Sequence, residues 1–196
     1  MKTNIFKISF MVFVLGWMVS CQPAQKQDAA VAQTVTVTTE EVNLALEAWC
    51  NALVQIGQVY EEGGDYKAFA AEVIETAYNY GNGEVFFKPT LTYGPRTFRP
   101  TAEGAHAYFV GGNEAFPEDK GFALAPWTAA RYTNQGDDKT GIQIHGDVAI
   151  FMGNVFVTGK DGNEVMVDKT FAFKKGEDGK LRIILHHSSL PYNPAL

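Results

Sequence analysis

The 196-residue chain is 46% hydrophobic and 13% aromatic against 19% charged, a balance that excludes both a disordered polyampholyte and a polytopic membrane protein. Its length suits one domain with an N-terminal extension. A formal net charge of −6 with no Lys/Arg cluster offers nothing to a nucleic-acid backbone, and two cysteines cannot build a disulfide framework.

Residues 1–20 read as a secretory leader: Lys2 and Lys7, then the apolar run from Ile8 to Val19, then the small Ser20. The apolar run is about 12 residues, short of the roughly 20 needed for a spanning helix. The ending Met18-Val19-Ser20-Cys21 resembles a bacterial lipoprotein lipobox, which implies that Cys21 becomes the lipidated first residue. Gln22 after the cysteine points to the outer rather than the inner membrane, hence to a periplasm-facing lipoprotein of the bacterial cell envelope. Loss of Lys2 and Lys7 leaves the mature part more acidic still. Residues 21–37, rich in Gln and Ala, are expected to be a flexible tether, with Val35 and Val37 as an alternative short edge strand. With Cys21 acylated, Cys50 is the remaining thiol and is expected inside a helix.

The body, residues 38–196, opens on helices. Thr38-Thr39-Glu40-Glu41 has capping-box spacing, and Val42, Leu46, Trp49, Leu53 and Ile56 recur on one helical face until Gly63-Gly64. Tyr66, Phe69, Ala70, Val73, Ile74 and Ala77 mark a second helix, and Val85-Phe86-Phe87 a strand running into Pro89. A third helix is expected from Thr101 to Gly111. Strands follow at Phe122–Tyr132, Ile142–Ile144, Val148–Thr158, Glu164–Lys174 and Leu181–Ser189, separated by glycine-containing turns. Helices followed by an antiparallel meander predict an α+β fold, with the helices packed into the concavity of a curved sheet and a pocket left where side chains do not fill it.

No phosphate loop, dinucleotide fingerprint, nucleophile elbow or Cys-x-x-Cys occurs. The four histidines are His106, His145, His186 and His187. The last two are neighbours on a strand and point to opposite faces, so a three-histidine metal site is not expected. The strand that begins Ile183-Ile184-Leu185 ends His186-His187-Ser188-Ser189, which suggests a lined cavity. Alternation groups His186 with Ser188 and His187 with Ser189, and leaves open which pair faces inward. Asn154 and Asp168 are secondary candidates for pocket polarity, while Lys88 and Arg99 read as surface groups, with attraction of an anion as the alternative.

Phe86-Phe87-Lys88-Pro89-Thr90, Phe98-Arg99-Pro100-Thr101-Ala102-Glu103-Gly104, Tyr108-Phe109-Val110-Gly111-Gly112, Met152-Gly153-Asn154 and His186-His187-Ser188-Ser189-Leu190-Pro191-Tyr192 together resemble the iota-class carbonic anhydrases, in particular their metal-independent branch. The resemblance covers nearly all of Glu40 to Pro194. It implies a cone-shaped, strongly bent antiparallel sheet enclosing N-terminal helices, similar to the calcium/calmodulin-dependent kinase II association domain and other SnoaL-like, cystatin-like folds, and a homodimer. It also implies reversible hydration of carbon dioxide to bicarbonate with no cofactor or metal. Thr90 and Tyr108 match the family's pocket threonine and tyrosine, and one histidine and one serine of His186, His187, Ser188 and Ser189 complete the set. Bulk water, with a pKa of about 15.7, needs assistance to attack. Histidine is the expected proton acceptor or water-orienting group, and the hydroxyls are expected to hold bicarbonate. The alternatives are a noncatalytic binding or association module of the same fold, or an isomerase or hydrolase using a carboxylate such as Asp168.

Overall fold

The computed structural model describes residues 35–133 and 141–194. The leader, Cys21 and most of the tether lie outside them. The capping box closes as its spacing requires. The Thr38 hydroxyl accepts from the Glu41 amide while the Glu41 carboxylate accepts from the Thr38 amide, starting helix α1, Thr39–Glu61. Helix α2, Tyr66–Ala77, is capped by Asp65, and α3, Ala102–Val110, by Thr101, whose side chain accepts from the Gly104 amide. Each cap satisfies an amide that has no partner inside its helix.

Six strands form one curved, open sheet: β1 Phe86–Lys88, β2 Trp127–Thr133, β3 Ile142–His145, β4 Val148–Gly159, β5 Glu164–Lys175 and β6 Leu181–Ser189. The order is β1-β6-β5-β4-β2, with β3 also on β4. β2 and β3 share one edge of β4, β2 ending at Thr133 opposite Asn154 and β3 starting at Ile142 opposite Phe151. Gly153 lies between them, and a side chain there would put Cβ 2.3 Å from the Thr133 carbonyl oxygen. A register shift at Ala172/Phe173 bends the β5/β6 pair.

The inner face carries Phe151, Val155 and Val157 of β4, Val167, Phe171 and Phe173 of β5, and Ile183 of β6, all buried. Val42, Leu46, Trp49 and Leu53 of α1 pack into the same core. Burying each such side chain contributes about 1.5–3 kcal/mol, which is why the apolar stripe of α1 lies in the concavity.

Two expectations are corrected. The stretch Phe122–Tyr132 is not one strand. Phe122–Leu124 forms a 3-10 turn and pairing begins only at Trp127. The Phe122 ring stacks on Tyr108 at 5.5 Å and its carbonyl accepts from the Trp127 indole, so this segment folds against α3 instead of joining the ladder. The sheet is also not wholly antiparallel, because β1 pairs with β6 in parallel, with Phe87 opposite His186. A crossover through α3 and the rest of the sheet separates the two strands, which permits that direction. At the start of the described chain, Val37 is buried and its amide donates to the Gly146 carbonyl, without forming a strand.

Candidate active site

Pro89 has no amide to donate and ends β1. The next residue, Thr90, therefore leaves the sheet edge at the level of the last turn of β6. There the Thr90 and Ser188 hydroxyl oxygens lie 2.6 Å apart, both side chains buried. One hydroxyl donates to the other, so one of the two hydrogens remains for a third partner. The Lys88 ammonium donates to the Ser188 carbonyl at 2.8 Å, fastening the two strand ends together.

Tyr108 completes this corner from α3. Its ring packs edge-on to Phe87 and flat on Phe122. Its hydroxyl lies beside Thr90 and the backbone of Leu91, but is buried and makes no hydrogen bond of good geometry. Burial pushes the phenol up to about 12, so it is a neutral O–H donor at physiological pH.

Thr90 and Tyr108 line one end of a cavity of about 400 Å³, with Ser188 just behind Thr90, and its remaining wall includes Phe122, Trp127, Val157, Val165, Val167 and Leu190. The wall is mostly apolar, suited to a nonpolar gas, and the hydroxyls at its end suit an oxyanion. Asp119 also borders it, both its carboxylate oxygens accepting from the single Arg99 Nη2 at 2.9 and 3.0 Å with both side chains buried. Arg99 is therefore an internal brace for the loop after α3, not the surface group its charge suggests.

The inward pair of the last strand is His186 with Ser188. His187 is exposed, and Ser189, opposite Asp168, shares its outer face. His187 and Ser189 are thus removed from the pocket. So are Asn154 and Asp168, which lie opposite each other on the outer face, the Asn154 amide donating to the Asp168 carboxylate at 2.8 Å. A carboxylate-based reaction inside the sheet at Asp168 is excluded by that placement. His106 bonds the Lys67 carbonyl and His145 is exposed at the end of β3. Among the described residues no three His, Cys, Asp or Glu side chains converge on a metal-sized site.

His186 is enclosed more completely than its position predicts. Phe87 stacks on its ring at 4.5 Å, and Phe171 and Trp49 lie at 4.4 and 5.4 Å. Nδ1 meets the Tyr78 hydroxyl at 2.9 Å and Nε2 meets Lys169 Nζ at 2.8 Å. Burial, then the charge of Lys169, hold the imidazole well below its usual pKa. A neutral histidine with both nitrogens engaged is a poor acceptor for a substrate proton and a good fixed orienting group.

Trp49 and Tyr78, which periodicity marks only as helix residues, and Lys169 are not singled out by the sequence as site residues. The signal for Lys169 is its register: it alternates with Val167 and Phe171 on the inward side of β5, where a lysine has no bulk water. Burial lowers its pKa to about 7.

A family model described as metal-independent carbonic anhydrase matches residues 40–190. A metal-independent carbonic anhydrase of Nostoc sp. (strain PCC 7120 / SAG 25.82 / UTEX 2576) is 52% identical over 158 residues, covering 80% of this chain and 75% of the relative. The crystal structure of an iota-carbonic anhydrase from a cyanobacterium, complexed with bicarbonate, is 51% identical and superposes with a TM-score of 0.77, over 82% of this chain and 96% of that one.

Proposed function

The chain belongs to the metal-independent carbonic anhydrase family, and from that premise we propose that it interconverts carbon dioxide and bicarbonate at the hydroxyl corner formed by Thr90, Ser188 and Tyr108. The observation that carries the placement is the 2.6 Å contact between Thr90 and Ser188 at the end of the apolar cavity, beside a phenol with no hydrogen bond of good geometry among the described residues.

Hydration proceeds there as follows. Carbon dioxide enters along Val157, Val165 and Val167, which solvate it without competing hydrogen bonds. A water held by the Thr90 and Ser188 oxygens presents a lone pair to the carbon. As the new C–O bond forms, one C=O electron pair moves to oxygen, and the developing anion accepts from Tyr108 O–H and from the spare Thr90/Ser188 hydrogen. Such preorganised donors contribute most where water is excluded. His186 orients Lys169 and the β6 end from behind and does not itself accept the proton.

In the same reading Cys21 carries the lipid, and the residues between it and the buried Val37 tether the domain to the periplasmic side of the outer membrane. The support is the leader pattern and the lipobox. Among the described residues no helix is long and apolar enough to cross a membrane. Two copies pair through the outer sheet face, a proposal supported by the exposure of Phe86, Ile150, Met152 and Met166 there.

Stopped-flow hydration on chelator-treated protein tests the central reading. Activity is expected to survive chelation and to fall about 100-fold or more in Ser188→Ala and Thr90→Val, the loss typical of removing one oxyanion donor. Full activity in both variants would place the reaction elsewhere. Palmitate labelling lost in Cys21→Ala and a dimer mass by light scattering test the anchor and the pairing.

A further inference from the structure

The hydroxyl corner has donors for bicarbonate but no strong acceptor for the proton that hydration releases. His186, Tyr108 and Tyr78 are all held neutral by burial. Lys169 is the remaining buried nitrogen base on this face. It lies directly opposite Ser188 in the β5/β6 ladder, and such a pair brings Cβ atoms to roughly 4.5–5.5 Å. The two side chains therefore stand side by side on the inner face of the sheet, with the Lys169 Nζ against His186 Nε2, the inward neighbour of Ser188 on the same strand.

The hydrogen-bond chain behind it has a direction. Trp49 Nε1 can only donate, and it donates to the Tyr78 oxygen at 3.1 Å. Among the described residues the acceptor bonded to the Tyr78 hydroxyl is His186 Nδ1. Using the hydroxyl hydrogen makes Nδ1 an acceptor, so a neutral His186 carries its proton on Nε2 and donates it to Lys169 Nζ. An amine can accept only when it is uncharged. Full satisfaction of this buried chain thus requires neutral Lys169, in agreement with the lowering of its pKa to about 7.

The ammonium form is also accommodated. Nζ lies 4.6 Å from the Trp49 ring centroid and 5.9 Å from that of Phe171, faces that attract a cation. Protonation reverses the chain: the ammonium donates to Nε2, His186 Nδ1–H donates to the Tyr78 oxygen, and the Tyr78 hydrogen is left without an acceptor. The groups that act on Lys169 are Cys50 from α1, Lys88 from β1 and His186 from β6. The Cys50 thiol is pushed up to about 11 by its own burial, so it brings no counter-charge. Both protonation states are therefore within reach, and neither is locked by a carboxylate.

We infer that Lys169 is the proton-holding positioning residue of hydration, acting through Ser188: it takes up as a buried ammonium the proton that water loses when its oxygen bonds to carbon dioxide. The step balances. Water supplies the electron pair of the new C–O bond, and its proton passes to the Thr90/Ser188 pair. That pair releases a hydroxyl proton, relayed by solvent water, to the Nζ lone pair. Bicarbonate leaves, and solvent buffer removes the proton from the ammonium. The inference rests on the carbonic anhydrase reading of the cavity.

The test is the pH profile of stopped-flow hydration in wild type, Lys169→Met, Lys169→Arg and His186→Gln, with folding checked by circular dichroism. Wild-type kcat should rise with pH through a midpoint near 7. Lys169→Met and Lys169→Arg should lose about 100-fold, in the range of general acid–base contributions, and the rise should disappear. His186→Gln should keep a rise with a moved midpoint. Should Lys169→Met not fold, ¹³C-lysine NMR of wild-type protein decides: a lysine resonance titrating near 7 supports the role, and none below 9 overturns it. An active wild type whose pH rise survives in Lys169→Met overturns the lysine role alone. A wild type inactive at every pH overturns the carbonic anhydrase reading and this role with it.

Discussion

Tyr108→Phe should separate stability from activity by moving them in opposite directions. The hydroxyl is buried with no hydrogen-bond partner of good geometry, and an unsatisfied buried polar group costs about 1–3 kcal/mol. The ring keeps its contacts with Phe87, Phe109 and Phe122 in the variant, so removing the oxygen relieves that cost with little lost packing. The polar surroundings of Thr90 and the Leu91 backbone partly compensate the wild-type hydroxyl, which puts the gain at the lower end, about 1 kcal/mol. For a domain of this size that raises Tm by about 3 °C. Hydration should fall about 100-fold, because the phenol is one of the donors to the developing anion. Calorimetry and stopped-flow hydration on the same preparations measure both. A Tm that does not rise, or hydration at the wild-type rate, would refute the assignment of this hydroxyl to substrate.

Three further outcomes are expected. His187→Gln and Ser189→Ala lie on the outer face and should leave hydration within twofold of wild type, whereas Ser188→Ala should not; steady-state hydration rates compare them directly. Asp119→Ala leaves the Arg99 guanidinium buried without its counter-charge and should cost about 3–5 kcal/mol in urea unfolding. Lys169 titrates near 7 when folded against an ordinary 10.5, so between these values the unfolded chain binds more protons and stability should rise with pH. Below 7 both states are protonated and the contribution is absent. Above 9 deprotonation of the unfolded Cys50 thiol opposes the rise, so the window to measure is pH 7–9, and Lys169→Met should remove the slope there.

The exposed and buried status of the two C-terminal histidines shows how far alternation carries. Period two from Leu185 to Ser189 groups the side chains correctly into two sets, whereas the register shift beside Ile184 turns Ile183 inward with His186 and Ser188. It does not say which set is inside, because the strand carries apolar residues in both. Pairing decided it: Phe171 opposite His186 and Lys169 opposite Ser188 put that set on the face covered by α1. Asp168 and Asn154 were misjudged for the same reason, since apolar neighbours flank any residue of a core strand whichever way it points.

What the chain by itself determined is local or motif-borne. The Thr38/Glu41 cap, the three helices and the four C-terminal strands depend on short-range hydrogen bonding and periodicity, and the candidates Thr90, Tyr108 and the undivided His186–Ser189 run on a motif, all written along the backbone. Tertiary structure alone decided that β1 joins β6 in parallel and so sets Thr90 against Ser188, that Arg99 is an internal brace, and that Lys169 sits dry beside His186. Each of these is a meeting of residues from about 17 to 100 positions apart. Such meetings are set by which faces bury together, and so is the basicity of a nitrogen, because desolvation belongs to the surroundings and not to the residue.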